Sequence, residues 1–193
     1  DKVSEAEKQK IDFLRSASHE LKTPITILKG QVESMILGIG IYKDTQKVLP
    51  ETLKEIENME RLVKEILAIS KIEMDGLAEN LESVSIAHLL SKVTENLLPL
   101  ALEADINYHT EISEDIVILG NQSLLEKAIH NIVNNAIRHS PKGAEVFVQL
   151  LEHQLTVTNT GTRIPEEELS VMFTPFYRVE KSRNKATGGS GLG

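Results

Sequence analysis

The chain has 193 residues, 40% of them hydrophobic and 26% charged, which is typical of a soluble globular protein with one or two domains. A net charge of −8 and an aromatic content of 4% argue against direct nucleic-acid binding, which needs a basic face and stacking rings. The absence of cysteine excludes disulfides, thiol catalysis and cysteine-ligated zinc.

The first predicted element is a long helix over residues 4–37. Its apolar residues recur in steps of three and four, the pattern of a helix packed against partner helices. They are Ile11, Leu14, Leu21, Ile25, Leu28, Val32 and Met35, with Ser18 in the one gap. In this register His19 faces away from the seam, and Thr23 lies one turn further along the same outer face. The pattern therefore predicts a solvent-exposed histidine.

A second helix is predicted over residues 50–74, after a break that Gly38, Gly40 and Pro50 bracket. Its apolar stripe is broader than one partner helix can cover, and comprises Leu53, Ile56, Met59, Val63, Ile66 and Leu67. Two such hairpins would bury these stripes in a four-helix bundle, so we expect a homodimer. The first domain is predicted to span residues 1–78.

From residue 79 onwards the pattern indicates a second domain, over residues 79–193. Strands are predicted near residue 83 and in 106–112, 115–121, 144–153 and 154–161, with a turn around His153. One helix is predicted after the first strand and an amphipathic one over 123–139. Strands mixed with two helices predict an α/β sandwich, in which helices cover one face of a mixed sheet.

The predicted helix over 123–139 carries an apolar stripe and a separate polar face. The stripe comprises Leu125, Ala128, Ile129, Ile132, Val133 and Ala136. Asn131, Asn135 and Arg138 follow at i, i+4 and i+7 on another face. Asparagine amide oxygens are suitable ligands for Mg²⁺, and an arginine there can contact phosphates. A polar helix face with capping residues is the alternative.

Two further segments have the composition of ligand-binding loops. A strand ends at Asn159, whose amide can pair with a base edge, and Gly161 allows a close backbone approach. The chain ends in GGSGLG, a run whose backbone N–H groups can surround phosphates. An ordinary strand-ending turn and a plain linker remain the alternatives.

In this order and spacing, the motifs resemble those of the catalytic core of bacterial two-component sensor histidine kinases. SHELKTP is similar to that family's phosphoacceptor motif, NIVNNA to its asparagine box and NTGTRI to its first glycine box. FTPFYRVEKSRN is similar to its phenylalanine box and GGSGLG to its second glycine box. The resemblance implies a dimerisation and histidine-phosphotransfer domain, followed by an ATP-binding domain of the Bergerat type.

The resemblance also implies roles for particular residues. His19 would attack the γ-phosphate of ATP, Glu20 would hold the other ring N–H, and Thr23 would orient water for hydrolysis of the phosphorylated partner. Pro24 would free the carbonyl of Glu20 and let the helix bend. The implied nucleotide-binding residues are Asn131, Asn135, Arg138, His139, Asn159, Gly161, Arg178, Lys181, Gly189, Gly191 and Gly193, with Mg²⁺ on the first two.

Two residues differ from the family pattern. Asn159 stands where the family usually has aspartate. Its side-chain carbonyl can still accept a hydrogen bond from the adenine amino group, but its NH₂ group needs another partner. Arg163 replaces the usual second glycine. His88, His109, His130 and His153 lack flanking motifs and are interpreted as structural or surface residues.

The implied partners are a second copy of the chain and the receiver domain of a response regulator. The protein would be the cytoplasmic portion of a cell-membrane sensor, attached only through segments outside this chain. Because the second glycine box normally leads into a helix and two strands, we expect an ATP-binding domain that is incomplete at its C-terminus. Poor ATP binding is expected for the same reason.

Three other classes of protein share parts of these motifs. A metalloprotease is excluded because Thr23 stands where H-E-x-x-H needs its second histidine. Related ATPases of the gyrase and chaperone kind hydrolyse ATP with a glutamate, where this chain has Asn131. A dimeric scaffold or pseudokinase that binds the regulator without ATP turnover remains the alternative to a protein-histidine kinase.

Overall fold

The computed structural model describes residues 2–75, 80–161 and 163–177. Its described residues form two compact units. The first contains residues 2–74 together with Phe173–Tyr177, and the second contains residues 75, 80–161 and 163–172. Within the described ranges, no helix is both long and apolar enough to cross a membrane.

The first unit is a helical hairpin. Helix α1 spans Lys2–Leu37, a single 3-10 turn spans Gly40–Lys43, and helix α2 spans Thr45–Asp75. Gly38 and Gly40 have φ angles of 61° and 57°, a region that disfavours other residues, so they reverse the chain at low cost. The predicted start of α2 at Pro50 is wrong. The helix begins five residues earlier, because a proline in its second turn removes only one backbone hydrogen bond.

Burial in the hairpin follows a different face from the predicted seam. Phe13, Ala17, Val48 and Leu62 are buried within the single chain. The hydroxyl of buried Thr52 donates to the backbone carbonyl of Val48 at 3.1 Å, so this polar group is satisfied. Much of the predicted seam and stripe is instead exposed: Ile11, Leu14, Ile25, Val32, Leu53, Ile56, Val63 and Leu67. One hairpin therefore leaves an apolar surface along both helices.

The second unit alternates strands and helices, as predicted. Its elements are β1 (Glu82–Ser85), α3 (Ile86–Glu103), β2 (Asn107–Ile112), β3 (Val117–Gly120), α4 (Gln122–Arg138), β4 (Glu145–Leu151), β5 (Gln154–Asn159) and the short α5 (Glu166–Leu169). The side chains of Ser85 and Asn121 cap α3 and α4 by accepting backbone N–H bonds, which satisfies donors that a helix start leaves unpaired.

The strands form two sheets. β1 pairs antiparallel with β3, while β4 lies between a parallel β2 and an antiparallel β5. Among the described residues, β5 pairs with β4 alone. On β4 the side chains alternate, so that Val146, Val148 and Leu150 are fully buried. Leu90 of α3 and Val133 of α4 belong to the same core, which confirms helices packed against one face of a mixed sheet.

The turn between β4 and β5 contains no glycine. Glu152 and His153 have φ angles of 50° and 60°, the values of a type I′ hairpin turn. The Glu114 carboxylate accepts the backbone N–H of His153 and lies 3.1 Å from its ring Nδ1. His109 stacks on Phe147, with ring centroids 4.7 Å apart. Both histidines are thus surface residues with local partners, as predicted.

Candidate functional site

The candidate phosphoacceptor residues lie together on α1. His19, Glu20 and Thr23 are all exposed, as the heptad register predicts. The Thr23 hydroxyl donates to the backbone carbonyl of His19 at 3.3 Å. A shallow groove of about 340 Å³ is lined by His19, Lys22, Thr23, Thr26 and Ile27. The histidine is therefore accessible to a large partner from one side of the helix.

Pro24 lies inside α1, and the helix continues through it. Proline lacks an N–H group, so the carbonyl of Glu20, four residues before it, loses its usual helical donor. The hydroxyls of Thr23 and Thr26 donate to carbonyls four residues back, the latter to Lys22 at 2.8 Å. Such bonds loosen a helix slightly. The backbone beside His19 is thus less regular in its hydrogen bonding than the rest of α1.

The candidate phosphate face lies on α4. Asn131 is half-buried and Asn135 is exposed, and neither side chain has a hydrogen-bond partner in the part of the chain that the structure describes. Their amide oxygens are therefore available as ligands, which fits the donor set that Mg²⁺ prefers. Arg138 uses its Nε to donate to Asn134 Oδ1 at 3.1 Å, which orients the guanidinium on the same helix.

The buried stripe predicted for α4 includes two residues that are exposed and omits one that is buried. Ala128 and Ile132 are exposed, whereas Ile137, which the pattern did not include, is buried. The helix packs through Ile129, Val133 and Ile137, which lie at successive turns. Ile132 therefore adds apolar surface next to the two asparagines.

No group of three or more histidine, aspartate or glutamate side chains able to hold a metal occurs within residues 2–75, 80–161 and 163–177. Asparagine amide oxygens can also serve as metal ligands. In the described ranges the α4 pair is accordingly the candidate for a Mg²⁺ that also binds phosphates.

The candidate base site lies where β5 ends beside the C-terminal end of α4. Asn159 Nδ2 donates to Ser140 Oγ at 3.0 Å, and Ser140 Oγ donates to the backbone carbonyl of Ala136 at 2.6 Å. The fold thereby brings Asn159 next to the residue that follows His139. His139 ends α4, and its backbone N–H donates to the carbonyl of Asn135.

Gly161 is required by a close approach to the loop after α4. A Cβ atom at this position would lie 2.9 Å from Cδ of Pro141, which is too short for a real contact. This close packing, rather than an unusual φ angle, explains the glycine. The neighbouring Thr160 holds the same region, because its backbone N–H donates to the Glu145 carbonyl at 2.8 Å and its hydroxyl accepts from the Glu145 N–H at 2.8 Å.

Sequence reasoning missed Ser140 and Pro141. Neither belongs to a recognisable motif, and their only signal is their position directly after a predicted helix. Arg178, Lys181, Gly189, Gly191 and Gly193 lie outside the described residues. Of the predicted nucleotide residues, the structure brings Asn159 and Gly161 to the end of α4 that carries Arg138 and His139.

Two family models match the chain. The His Kinase A (phospho-acceptor) domain matches residues 9–75, and the Histidine kinase-, DNA gyrase B-, and HSP90-like ATPase matches residues 120–193. Among relatives, the sensor protein VanSB of Enterococcus faecalis is 32% identical over 185 residues, which are 94% of this chain and 41% of that protein. The sensor protein SrrB of Staphylococcus aureus is 32% identical over 97% of this chain and 33% of its own length. The chain thus spans less than half of these relatives.

Two solved structures have a similar fold. The Acinetobacter baumannii histidine kinase AdeS gives a TM-score of 0.66 at 24% identity, covering 90% of this chain and 82% of the other. The histidine kinase ThkA, solved in complex with the response regulator protein TrrA, gives 0.67 at 23% identity, covering 92% and 55%. At these identities the similarity supports the fold, a helical hairpin followed by an α/β domain.

Proposed function

The chain belongs to the two-component sensor histidine kinases and corresponds to their catalytic core, and from this we propose an ATP-dependent phosphorylation of His19 followed by phosphotransfer. The observation that carries the proposal is the exposed His19 with Glu20 beside it on α1. Neither side chain has a packing role in the hairpin. Both are available for chemistry with a partner that approaches from solvent.

His19 acts as the nucleophile. Its unprotonated ring nitrogen forms a bond to the γ-phosphorus of ATP, the bond from that phosphorus to the bridging oxygen breaks, and ADP leaves with the electron pair. Attack requires a ring nitrogen that carries no proton, because that nitrogen supplies the lone pair for the new bond. Glu20 accepts the N–H of the other ring nitrogen, which fixes the tautomer and stabilises positive charge on the ring as the bond forms.

The second unit binds the nucleotide. Asn159 accepts from the adenine amino group, and Arg138 and His139 contact the phosphates. Arg178 and Lys181, the basic residues of the phenylalanine box, would add positive charge for the phosphates. The glycines Gly189, Gly191 and Gly193 would line the phosphates with backbone N–H groups. Asn131 and Asn135 would hold Mg²⁺, which would neutralise phosphate charge when bound. Within the described ranges the amide oxygens of Asn131 and Asn135 have no hydrogen-bond partner, which supports this assignment.

The proposed partners are a second copy of the chain and a response regulator. The exposed apolar surface along α1 and α2 supports a two-fold dimer that buries it as a four-helix bundle. Phosphoryl transfer goes from His19 to an aspartate of the regulator's receiver domain. Thr23, on the same exposed face, orients water for hydrolysis of the phosphorylated regulator. We place this core on the cytoplasmic side of a membrane sensor.

Incubation of the protein with Mg²⁺ and γ-labelled ATP tests the proposal. Phosphohistidine carries a P–N bond, so the label should be lost in acid and retained in base. Label that survives acid, which is typical of serine or threonine esters, would contradict it. A dimer that binds the regulator yet takes up no label with bound ATP would instead support the alternative of a non-catalytic scaffold.

A further inference from the structure

The side-chain hydroxyl of Ser140 has only one proton to donate, and the structure shows which group accepts it. The hydroxyl donates to the Ala136 carbonyl at 2.6 Å, so towards Asn159 it presents lone pairs only. The side chain of Asn159 lies 3.0 Å away and must turn its NH₂ group, not its oxygen, to this hydroxyl. The amide orientation of Asn159 is thereby determined by the hydrogen-bond network.

Both ends of this contact are held in place. Ser140 is half-buried, and the following Pro141 packs against Gly161 so closely that a Cβ there would lie 2.9 Å from Cδ of the proline. The strand end that carries Asn159 is anchored by the paired hydrogen bonds between Thr160 and Glu145. The backbone at both residues is therefore held in place, which maintains the contact between the Ser140 hydroxyl and the Asn159 amide.

We propose that Ser140 is a positioning residue that makes Asn159 a hydrogen-bond acceptor and so selects adenine over guanine nucleotides. The proposal rests on the nucleotide site described above. With Nδ2 occupied by Ser140, only Oδ1 faces a bound base. Adenine presents an amino group that donates to this oxygen, whereas guanine presents its own carbonyl oxygen, and two acceptors cannot pair.

An asparagine at this position needs a fixed side-chain orientation, and the role proposed for Ser140 supplies it. An aspartate has two equivalent acceptor oxygens and needs no orientation. An asparagine can turn by 180° and offer its NH₂ group to the guanine carbonyl instead. The hydroxyl of Ser140 removes that option, because turning the amide would place two acceptors, Oδ1 of Asn159 and Oγ of Ser140, against each other.

Titration calorimetry with ADP and with GDP, on the full chain, measures the discrimination. The unchanged protein should prefer ADP by about tenfold or more, since a mispaired acceptor costs roughly a hydrogen bond. Ser140→Ala should reduce this ratio by about tenfold, partly through tighter GDP binding. Ser140→Thr keeps the hydroxyl and should restore the ratio. Ser91→Ala removes the same kind of hydroxyl bond to a carbonyl four residues back, on α3, and should leave the ratio unchanged.

Repeating the test in the Asn159→Asp variant distinguishes a positioning role of Ser140 from a general structural role. In Asn159→Asp the side chain has no amide to turn, so adding Ser140→Ala should leave the ADP/GDP ratio within about twofold. An equal loss of discrimination in both backgrounds would overturn the proposal, because Ser140 would then act only through the fold. Unchanged discrimination in Ser140→Ala would overturn it as well.

The side-chain amide of Asn159 gives a readout that needs no nucleotide. In ¹⁵N-labelled protein its NH₂ resonances, identified by their loss in Asn159→Asp, should show slow exchange that Ser140→Ala abolishes. Unaltered resonances in Ser140→Ala would refute the positioning role. If the unchanged protein binds neither ADP nor GDP at concentrations up to about 1 mM, which also detects the weak binding expected of this chain, the proposed nucleotide site itself fails. Binding that prefers ADP, with no effect of Ser140→Ala, refutes only the role of Ser140.

Discussion

The hydroxyl of Thr23 donates to the backbone carbonyl of His19, with 3.3 Å between the two oxygens, one turn apart on the same exposed face of α1. At 3.3 Å the bond is longer than the usual range of about 2.5–3.0 Å for a hydroxyl donor, so it holds the threonine only loosely. Thr23 can therefore exchange this bond for one to water or to a docked partner. This relationship links the proposed nucleophile to the proposed hydrolytic residue.

The nucleophile prediction concerns His19→Gln. Glutamine keeps a polar side chain at an exposed position but has no nucleophilic ring nitrogen, so labelling by γ-labelled ATP should be abolished. The helical content and unfolding midpoint should change little, because an exposed substitution of this kind costs within about 0.5 kcal/mol. His130→Gln, at an exposed histidine of α4 outside the motif, is the matched control and should keep the label. Label remaining in His19→Gln would show that another residue is the acceptor.

The phosphatase prediction concerns Thr23→Ala. Removal of the hydroxyl should leave autophosphorylation within about threefold, since a helix tolerates alanine well and the bond to His19 is weak. Dephosphorylation of the regulator should fall by about tenfold or more, because the water loses its orienting group. Thr23→Ser retains the hydroxyl and should retain most of the phosphatase rate. Equal loss of both activities in the alanine variant would mean that Thr23 supports the helix instead.

Assembly is tested by Leu53→Glu combined with Leu67→Glu. Both leucines are more than half exposed in the single chain, at 55% and 62%. Glutamates there would be buried without partners in a four-helix bundle, so light scattering should report a monomer where the unchanged protein is a dimer. Lys54→Glu, next to Leu53 on α2, is the control and should remain dimeric. An unchanged protein that is monomeric at micromolar concentration would contradict the bundle.

The core prediction compares two leucines of α3. Leu90 is fully buried and Leu102 is 69% exposed. Leu90→Ala should lower the free energy of unfolding of the second unit by about 2–5 kcal/mol, through lost burial and the cavity that remains. Leu102→Ala should change it by about 0.5 kcal/mol or less. Urea unfolding followed by far-UV circular dichroism measures both, and similar losses would mean that α3 packs through another face.

A pH prediction follows from Tyr108. Burial raises the pKa of its phenol to about 12, while the side chain of Thr110 partly offsets this. In the unfolded chain the phenol has its ordinary pKa of about 10, so it loses its proton near that pH. In the folded chain it keeps the proton up to about pH 12, so between these two pH values the folded state binds more protons. Stability should therefore fall as pH rises through this range, and part of that fall should be absent in Tyr108→Phe. Urea midpoints at pH 9, 10 and 11 measure it, and identical slopes would contradict the assignment.

The elements of the second unit were predictable because their signals are local. On β4 the apolar residues recur every two positions, and on α4 they recur every three or four. These spacings indicate a strand and a helix, because each type of backbone turns residues at its own spacing towards the core. The turn at His153 was predicted by the change between two alternating runs, although neither residue at its centre is a glycine. The exposure of His19 followed from its heptad position alone. The motif order indicated the family for the same reason, since each motif lies within one short segment.

Only the tertiary structure decided which groups meet across segments. Periodicity leaves the rotation of a helix uncertain by about one residue, so Ile132 was predicted as buried and Ile137 was not. Asn159 and Ser140 are 19 residues apart, and their hydrogen bond exists because β5 is packed beside the end of α4. Gly161 likewise faces Pro141 only in the folded chain. Residue type determined what each group can donate or accept, and the packing of helices on the sheet determined the partner that it finds.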